Sequence, residues 1–166
     1  ITIEDPVEYR RAIYEKAGAR RHLAVLNLAA EKAGWGQPVA AGVGRGVAVH
    51  ESFGSVVAYV VEASMKDGAP VLKRVTAGVH CNLVINPRTV EAQVQGAALM
   101  GLSMCLPGAQ ITLKDGVVEQ GNWGEYTMAR MPQMPRQFAV HIVPSKDAPT
   151  GIGVERIYPG NPQAQK

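Results

Sequence analysis

Cysteine is nearly missing from this chain, which has two thiols, Cys81 and Cys105, in 166 residues. They form no C-x-x-C pair. Zinc ribbons and iron–sulfur clusters draw several closely spaced ligands, so neither can be assembled here from cysteine alone, and no metal ligand set is assigned. Two inert buried thiols are the expected state. No apolar run is long enough to span a bilayer, so no membrane span is expected; the sequence opens on Ile1 and not Met, without a signal-peptide pattern, as expected of a chain whose natural start was removed or of an internal fragment. Charge of one sign is also scarce, with a formal excess of only +3. The short basic cluster of Arg10, Arg11, Lys16, Arg20 and Arg21 has no interleaved aromatics, and it reads as a solvated helix face rather than the footprint of a nucleic acid. Aromatics make up 5%, against 18 glycines and 11 prolines, a mix suited to many turns and close backbone packing. With 46% apolar and 19% charged residues the chain is an ordinary folded one, long enough for a single core.

The pattern begins helical. Asp5-Pro6 supplies a cap and a first-turn proline, and Gly18 ends the run. A second helix is expected from about Arg20 to Lys32, with Leu23, Leu26, Ala30 and Ala33 on one stripe. The glycine-rich stretch from Ala41 to Gly46 lacks the preceding strand and following helix of a phosphate loop, and reads as a flexible entry into a sheet. Val47 to Met65 then reads as strand, nearly continuous in apolar residues from Ser55, as for a strand covered on both faces. A turn at Lys66 to Pro70 returns it as Val71 to Val79, giving a long antiparallel hairpin.

The most informative segment follows. Asn86-Pro87 caps a helix that runs to about Leu106. From Gly96 to Leu106 every residue is small or apolar, which predicts a helix buried on all sides. Two interior glycines, Gly96 and Gly101, cost about 1 kcal/mol each relative to alanine, which makes sense if a backbone or a ligand packs unusually close. A second hairpin turns at Asp115-Gly116, and Gln137 to Val143 gives a last strand. The tail from Pro149 reads as irregular. The fold class expected is α+β: an antiparallel sheet of long hairpins, a buried helix packed on it and an N-terminal helical pair. The expected divisions are a helical linker over 1–40, an α+β domain over 41–150 and an irregular tail over 151–166.

Several stretches resemble the molybdenum hydroxylase family, whose relatives include xanthine dehydrogenase and aldehyde oxidase, in its isoquinoline 1-oxidoreductase β-subunit form. They are Asp5-Pro6-Val7, Arg21 to Leu26, Ala33 to Gly36, Arg45 to Ser55, Val84 to Pro87, Ala92 to Ala97, Gly101-Leu102, Ile111 to Gly116 and Val140 to Ser145. Each is weak alone, while their order and spacing over Asp5 to Gly153 are specific. The resemblance implies a C-terminal piece of the large subunit of an oxidoreductase that hydroxylates N-heterocycles or aldehydes, with water as the oxygen source. It implies a molybdenum–pterin cofactor in the intact enzyme, with none bound by this chain alone. A glutamate acts there as general base toward the metal-activated oxygen nucleophile. The partners implied are the remaining large-subunit domains and an iron–sulfur small subunit. By the same resemblance Gln93 contacts the pterin through an amide that can donate and accept, and Gly96 lets the pterin approach the helix. Gln95 is a neighbouring polar residue.

The sequence departs from the family at its catalytic segment. The family reads Gly-x-Gly-Glu-Pro, whereas Gly151-Ile152-Gly153 is followed here by Val154, so that the catalytic candidate Glu155 arrives one place late. One residue along the chain is more than about 3 Å, beyond the tolerance of a general base. A reading-frame change near Gly153 would account for this, and the chain is expected to be inactive alone. His80-Cys81-Asn82 stands where many relatives have Asp-Cys-Gly, with His80 expected to be structural. The alternative is a degenerate, non-catalytic relative kept as a structural or interaction module, which predicts self-association through an exposed helix face.

Overall fold

Asp5 opens the first helix as its cap, the carboxylate accepting from the backbone N–H groups of Val7 (2.7 Å) and Glu8 (3.1 Å). The computed structural model describes residues 5–152. Helix α1 (Pro6–Lys16) is followed across Gly18 by helix α2 (Arg20–Ala33), which closes on Gly34 in the left-handed conformation. This is the expected helical pair. The indole of Trp35 reaches back and donates to the Asp5 carboxylate at 3.1 Å, so the end of α2 and the start of α1 are held together.

Three long strands follow as an antiparallel meander: β1 (Val43–Ser52), β2 (Ser55–Lys66) and β3 (Ala69–His80). The glycine-rich stretch is thus, from Val43 on, part of β1 itself and not a flexible entry. The apolar run from Val47 to Met65 is likewise two strands, broken at Phe53-Gly54. Both of those residues have positive φ (48° and 70°), the twist that a two-residue hairpin needs. Asp67-Gly68 makes the same turn between β2 and β3. A phenylalanine in the first turn position hid the earlier turn from pattern reading, whereas Asp-Gly announces the later one.

The pleat of the meander faces two helices. Val56, Ala58 and Val60 of β2 pack with Val25, Ala29 and Ala33 of α2, all of them buried. The alternate positions Val57 of β2 and Ala77 and Val79 of β3 pack with Val90 and Val94 of helix α3 (Pro87–Cys105). Gly78 lies where α2 crosses β3, and a Cβ there would come within 2.5 Å of the Val25 carbonyl oxygen. The C-terminus of α2 is fixed by charge. Arg45 Nη1 donates to the Gly34 carbonyl (3.0 Å) and Arg74 Nη2 to that of Ala33 (2.6 Å), while both guanidinium groups hold Glu62. The hydrogen bond from Arg74, then that from Arg45, keeps the Glu62 carboxyl below its ordinary range against the effect of burial.

Two expectations are corrected in detail. The sheet, in order β1-β2-β3-β6, is mixed, because β6 (Gln137–Ile142) pairs parallel with β3. Helix α3 and the irregular arm after it carry the chain back along the sheet, so the returning strand runs in the direction of β3. Helix α3 is not buried all round. Val90, Val94, Ala97, Leu102 and Ser103 are buried, whereas Gly96, Met104 and Cys105 are exposed. The small hairpin of β4 (Leu113–Lys114) and β5 (Val117–Val118) turns at Asp115-Gly116 as expected and forms a separate two-stranded sheet. Among the described residues no helix is long and apolar enough to cross a membrane.

Candidate cofactor-facing site

One end of the sheet gathers the candidate residues. There the β1–β2 turn, the end of β3, the first turns of α2 and α3, and the segment 147–152 converge. Asn86 caps α3 by accepting from the N–H groups of Arg88 (3.1 Å) and Thr89 (3.3 Å), which sets the helix at that end. Gln93 lies two turns in, half-buried, and its Nε2 donates to the carbonyl of Ile152 at 3.2 Å. A carbonyl can only accept, so the amide oxygen of Gln93 faces the other way. Gly96, one turn on, is exposed, and nothing lies within 4 Å of where its Cβ would stand. The chain itself therefore does not use this glycine for close packing. The surface beside Gly96 is open, one turn along α3 from Gln93.

Segment 147–152 is tied down along its length. The carbonyl of Asp147 accepts from Leu83 N (3.0 Å) and that of Ala148 from Asn82 Nδ2 (2.8 Å). Thr150 N donates to the Cys81 carbonyl at 3.3 Å. The fully buried Ser55 hydroxyl donates to the Gly151 carbonyl (2.8 Å) and also bonds the Thr150 hydroxyl. Ile152 packs into the cluster of Val57, Val79 and Val94. Glu155 lies outside the described residues.

His80 is structural here. It is buried, and its Nδ1 accepts from Arg21 Nε at 3.4 Å. Burial first, then the Arg21 charge, lowers its pKa, which keeps it neutral as an acceptor. Arg21 also donates to the carbonyls of Gly54 and His80. Ser55, Thr150 and Arg21 carry no signal as isolated residues in a sequence, because their roles depend on segments far apart in the chain. Of the two thiols, Cys81 is buried as expected and Cys105 is exposed. Cys105 is among the residues that line an apolar cavity of about 500 Å³ between α3 and the sheet, with Tyr59, Val61, Leu72, Gly101 and Leu102. Among the described residues no group of three or more His, Cys, Asp or Glu side chains could hold a metal ion.

A mixed sheet between a helical pair and a glycine-bearing helix defines an α+β domain. Similarity to known proteins places it further. The profile of the molybdopterin cofactor-binding domain matches residues 11–135. The chain belongs to that family, the cofactor-binding domain of the molybdenum hydroxylases. It is 31% identical over 153 residues to the beta chain of isoquinoline 1-oxidoreductase from Brevundimonas diminuta, covering 89% of this chain and 19% of that protein. It is 25% identical over 174 residues to a nicotinate dehydrogenase component of Pseudomonas putida, covering 93% of this chain and 14% of that one. The chain thus spans under a fifth of these relatives. Its fold is shared with quinoline 2-oxidoreductase from Pseudomonas putida 86, at a TM-score of 0.51 and 18% identity over 62% of this chain and 14% of that one.

Proposed function

We propose that this chain is the pterin-contacting part of the large subunit of a molybdenum-dependent oxidoreductase that hydroxylates N-heterocycles or aldehydes with water as oxygen source. The observation that carries the reading is the juxtaposition on α3 of Gln93, whose amide oxygen is free of any partner among the described residues, and Gly96, which is open to solvent. When bound, a molybdenum–pterin supplies the redox and oxygen-activating chemistry. The protein's own residues do the holding. Gln93 accepts a hydrogen bond from a ligand N–H, and Gly96 keeps the helix surface flat so that a planar ring lies against backbone. The fixed path of 147–152 ends at Ile152, whose carbonyl is bonded to Gln93, and Glu155 is kept as the catalytic candidate on the resemblance alone.

The names of the relatives span both substrate classes, since isoquinoline and nicotinate each contain a ring nitrogen and a third relative, 29% identical, is named as an aldehyde dehydrogenase. The partners in this reading are the remaining large-subunit domains and an iron–sulfur small subunit. The apolar cavity beside α3 and the exposed Met104 and Cys105 supply surface for the former. The experiment is to express the complete large subunit with its small subunit in a host that makes the cofactor, and to measure molybdenum and pterin per protein. Gln93→Ala and Gly96→Leu should each lower both contents severalfold relative to the unsubstituted protein. Equal contents in all three would reject the assignment.

A second reading, a non-catalytic relative kept as a structural or interaction module, is favoured by the one-place displacement of Glu155 from the family pattern. It requires that the chain self-associate without cofactor, which sedimentation velocity over a range of concentrations would detect. A monomer at all concentrations would reject it.

A further inference from the structure

Two hydroxyls and one amide hold successive residues of one short segment, the hydroxyls at Thr150 and Gly151 and the amide at Ile152. Ser55 has a single hydroxyl proton, and its geometry toward the Gly151 carbonyl commits that proton there (2.8 Å). The bond between the Ser55 and Thr150 oxygens then has Thr150 as donor. Thr150 is held twice more: its N–H donates to the Cys81 carbonyl, and its methyl faces Gly54, where a Cβ would come within 3.1 Å. The next carbonyl along, that of Ile152, accepts one of the two N–H groups of the Gln93 amide, which fixes its nitrogen inward. An amide side chain can rotate to exchange its oxygen and nitrogen, and only a fixed partner settles which end faces outward.

We propose that Ser55 and Thr150 are positioning residues that set the polarity of Gln93, through a chain running Thr150 hydroxyl, Ser55 hydroxyl, Gly151 carbonyl and, one residue on, Ile152 carbonyl to the Gln93 amide. With that chain intact, α3 presents an acceptor, and the ligand recognised must offer an N–H at this point. With it broken, the amide turns freely and presents donor and acceptor alike. The inference rests on the reading of Gln93 as a ligand contact, but the chain itself is a property of the protein without ligand, so the two can fail separately.

The test is NMR of the 166-residue chain labelled with ¹⁵N, comparing Thr150→Val, which keeps the shape and removes the hydroxyl, with Thr150→Ser, which keeps the hydroxyl. In the unsubstituted chain the two Gln93 side-chain protons should be well separated in shift. In Thr150→Val both should move to the two distinct shifts of a solvent-exposed glutamine amide. Exchange at the backbone amides of Leu83 and of position 150 should quicken about tenfold, the equivalent of one lost hydrogen bond. Thr150→Ser should restore both. Exchange at Val60 and Val75, deep in the sheet, should be unchanged in every variant, which shows that the fold is intact. Gln93 signals indifferent to Thr150→Val, or altered equally by Thr150→Ser, would overturn the proposal. The reading of Gln93 as a pterin contact fails instead through unchanged cofactor content in Gln93→Ala, a result that these spectra do not depend on.

Discussion

Replacing Gly78 by alanine tests how closely α2 is seated on the sheet. The added methyl would stand 2.5 Å from the Val25 carbonyl oxygen and 3.2 Å from Ala29 N. An ordinary carbon–oxygen contact is about 0.8 Å longer than the first of these, and both obstacles are helix backbone, which cannot swing aside as a side-chain end can. The helix must therefore lift, and Val25, Ala29 and Ala33 must part from Val56, Ala58 and Val60. A gap of that width forfeits about a quarter to a half of each dispersion contact it opens. Overpacking usually costs about 1–3 kcal/mol, and backbone obstacles put this case at about 3. Removing a glycine from the unfolded chain returns about 0.4–1 kcal/mol. The net loss of about 2 kcal/mol corresponds to a fall in Tm of about 4–8 °C for a chain of this size. Gly46→Ala in β1 is the control, because nothing lies within 4 Å of its added methyl. Thermal unfolding followed by circular dichroism reads both. If Gly78→Ala melts within a degree of Gly46→Ala, the close seating of α2 is wrong, and with it the placing of Arg21 on His80.

The other predictions concern charge and the open helix face. Glu62→Gln leaves Arg45 and Arg74 without their shared carboxylate in a largely buried position, and should destabilise by about 2–3 kcal/mol in urea at neutral pH. Because Arg74 first, then Arg45, holds the folded Glu62 carboxyl below its ordinary value, its stabilisation is complete above the unfolded value of 4.5 and is lost as pH falls through the lower folded value. The difference between the two proteins should accordingly be constant from about pH 7 to 5 and shrink below, and a difference that grew in acid would refute the assignment. Gly96→Ala should raise the stability of the isolated chain by about 0.5–1 kcal/mol, since the methyl enters open space on a helix, while lowering cofactor retention in the complete enzyme. A stability loss would mean that Gly96 is packed after all.

Local chemistry made much of the fold legible. Asp5-Pro6 and Asn86-Pro87 are caps in the structure as they are in the sequence, and Asp67-Gly68 and Asp115-Gly116 turn the hairpins they announce. What escaped was non-local. Nothing within Gln137–Ile142 tells whether it joins its neighbour parallel or antiparallel, because that depends on the path of the thirty-odd residues before it. The apolar surface of α3 predicts complete burial, but the described residues cover only one face of the helix. The site divides in the same way. Gln93 and Gly96 were proposed through a family resemblance, and they stand a turn apart on α3, the first half-buried and the second exposed. Ser55, Thr150 and Arg21 were not legible, since a buried hydroxyl or a guanidinium acquires its meaning only from carbonyls that folding brings to it.

The most direct measurement is a structure of the complete, cofactor-loaded enzyme at a resolution that places side-chain amides. The account predicts the Gln93 oxygen within about 3.2 Å of a pterin nitrogen that carries hydrogen, with the ring against the backbone of Gly96. A pterin bound elsewhere, with this face of α3 bare or covered by another part of the protein, would contradict it.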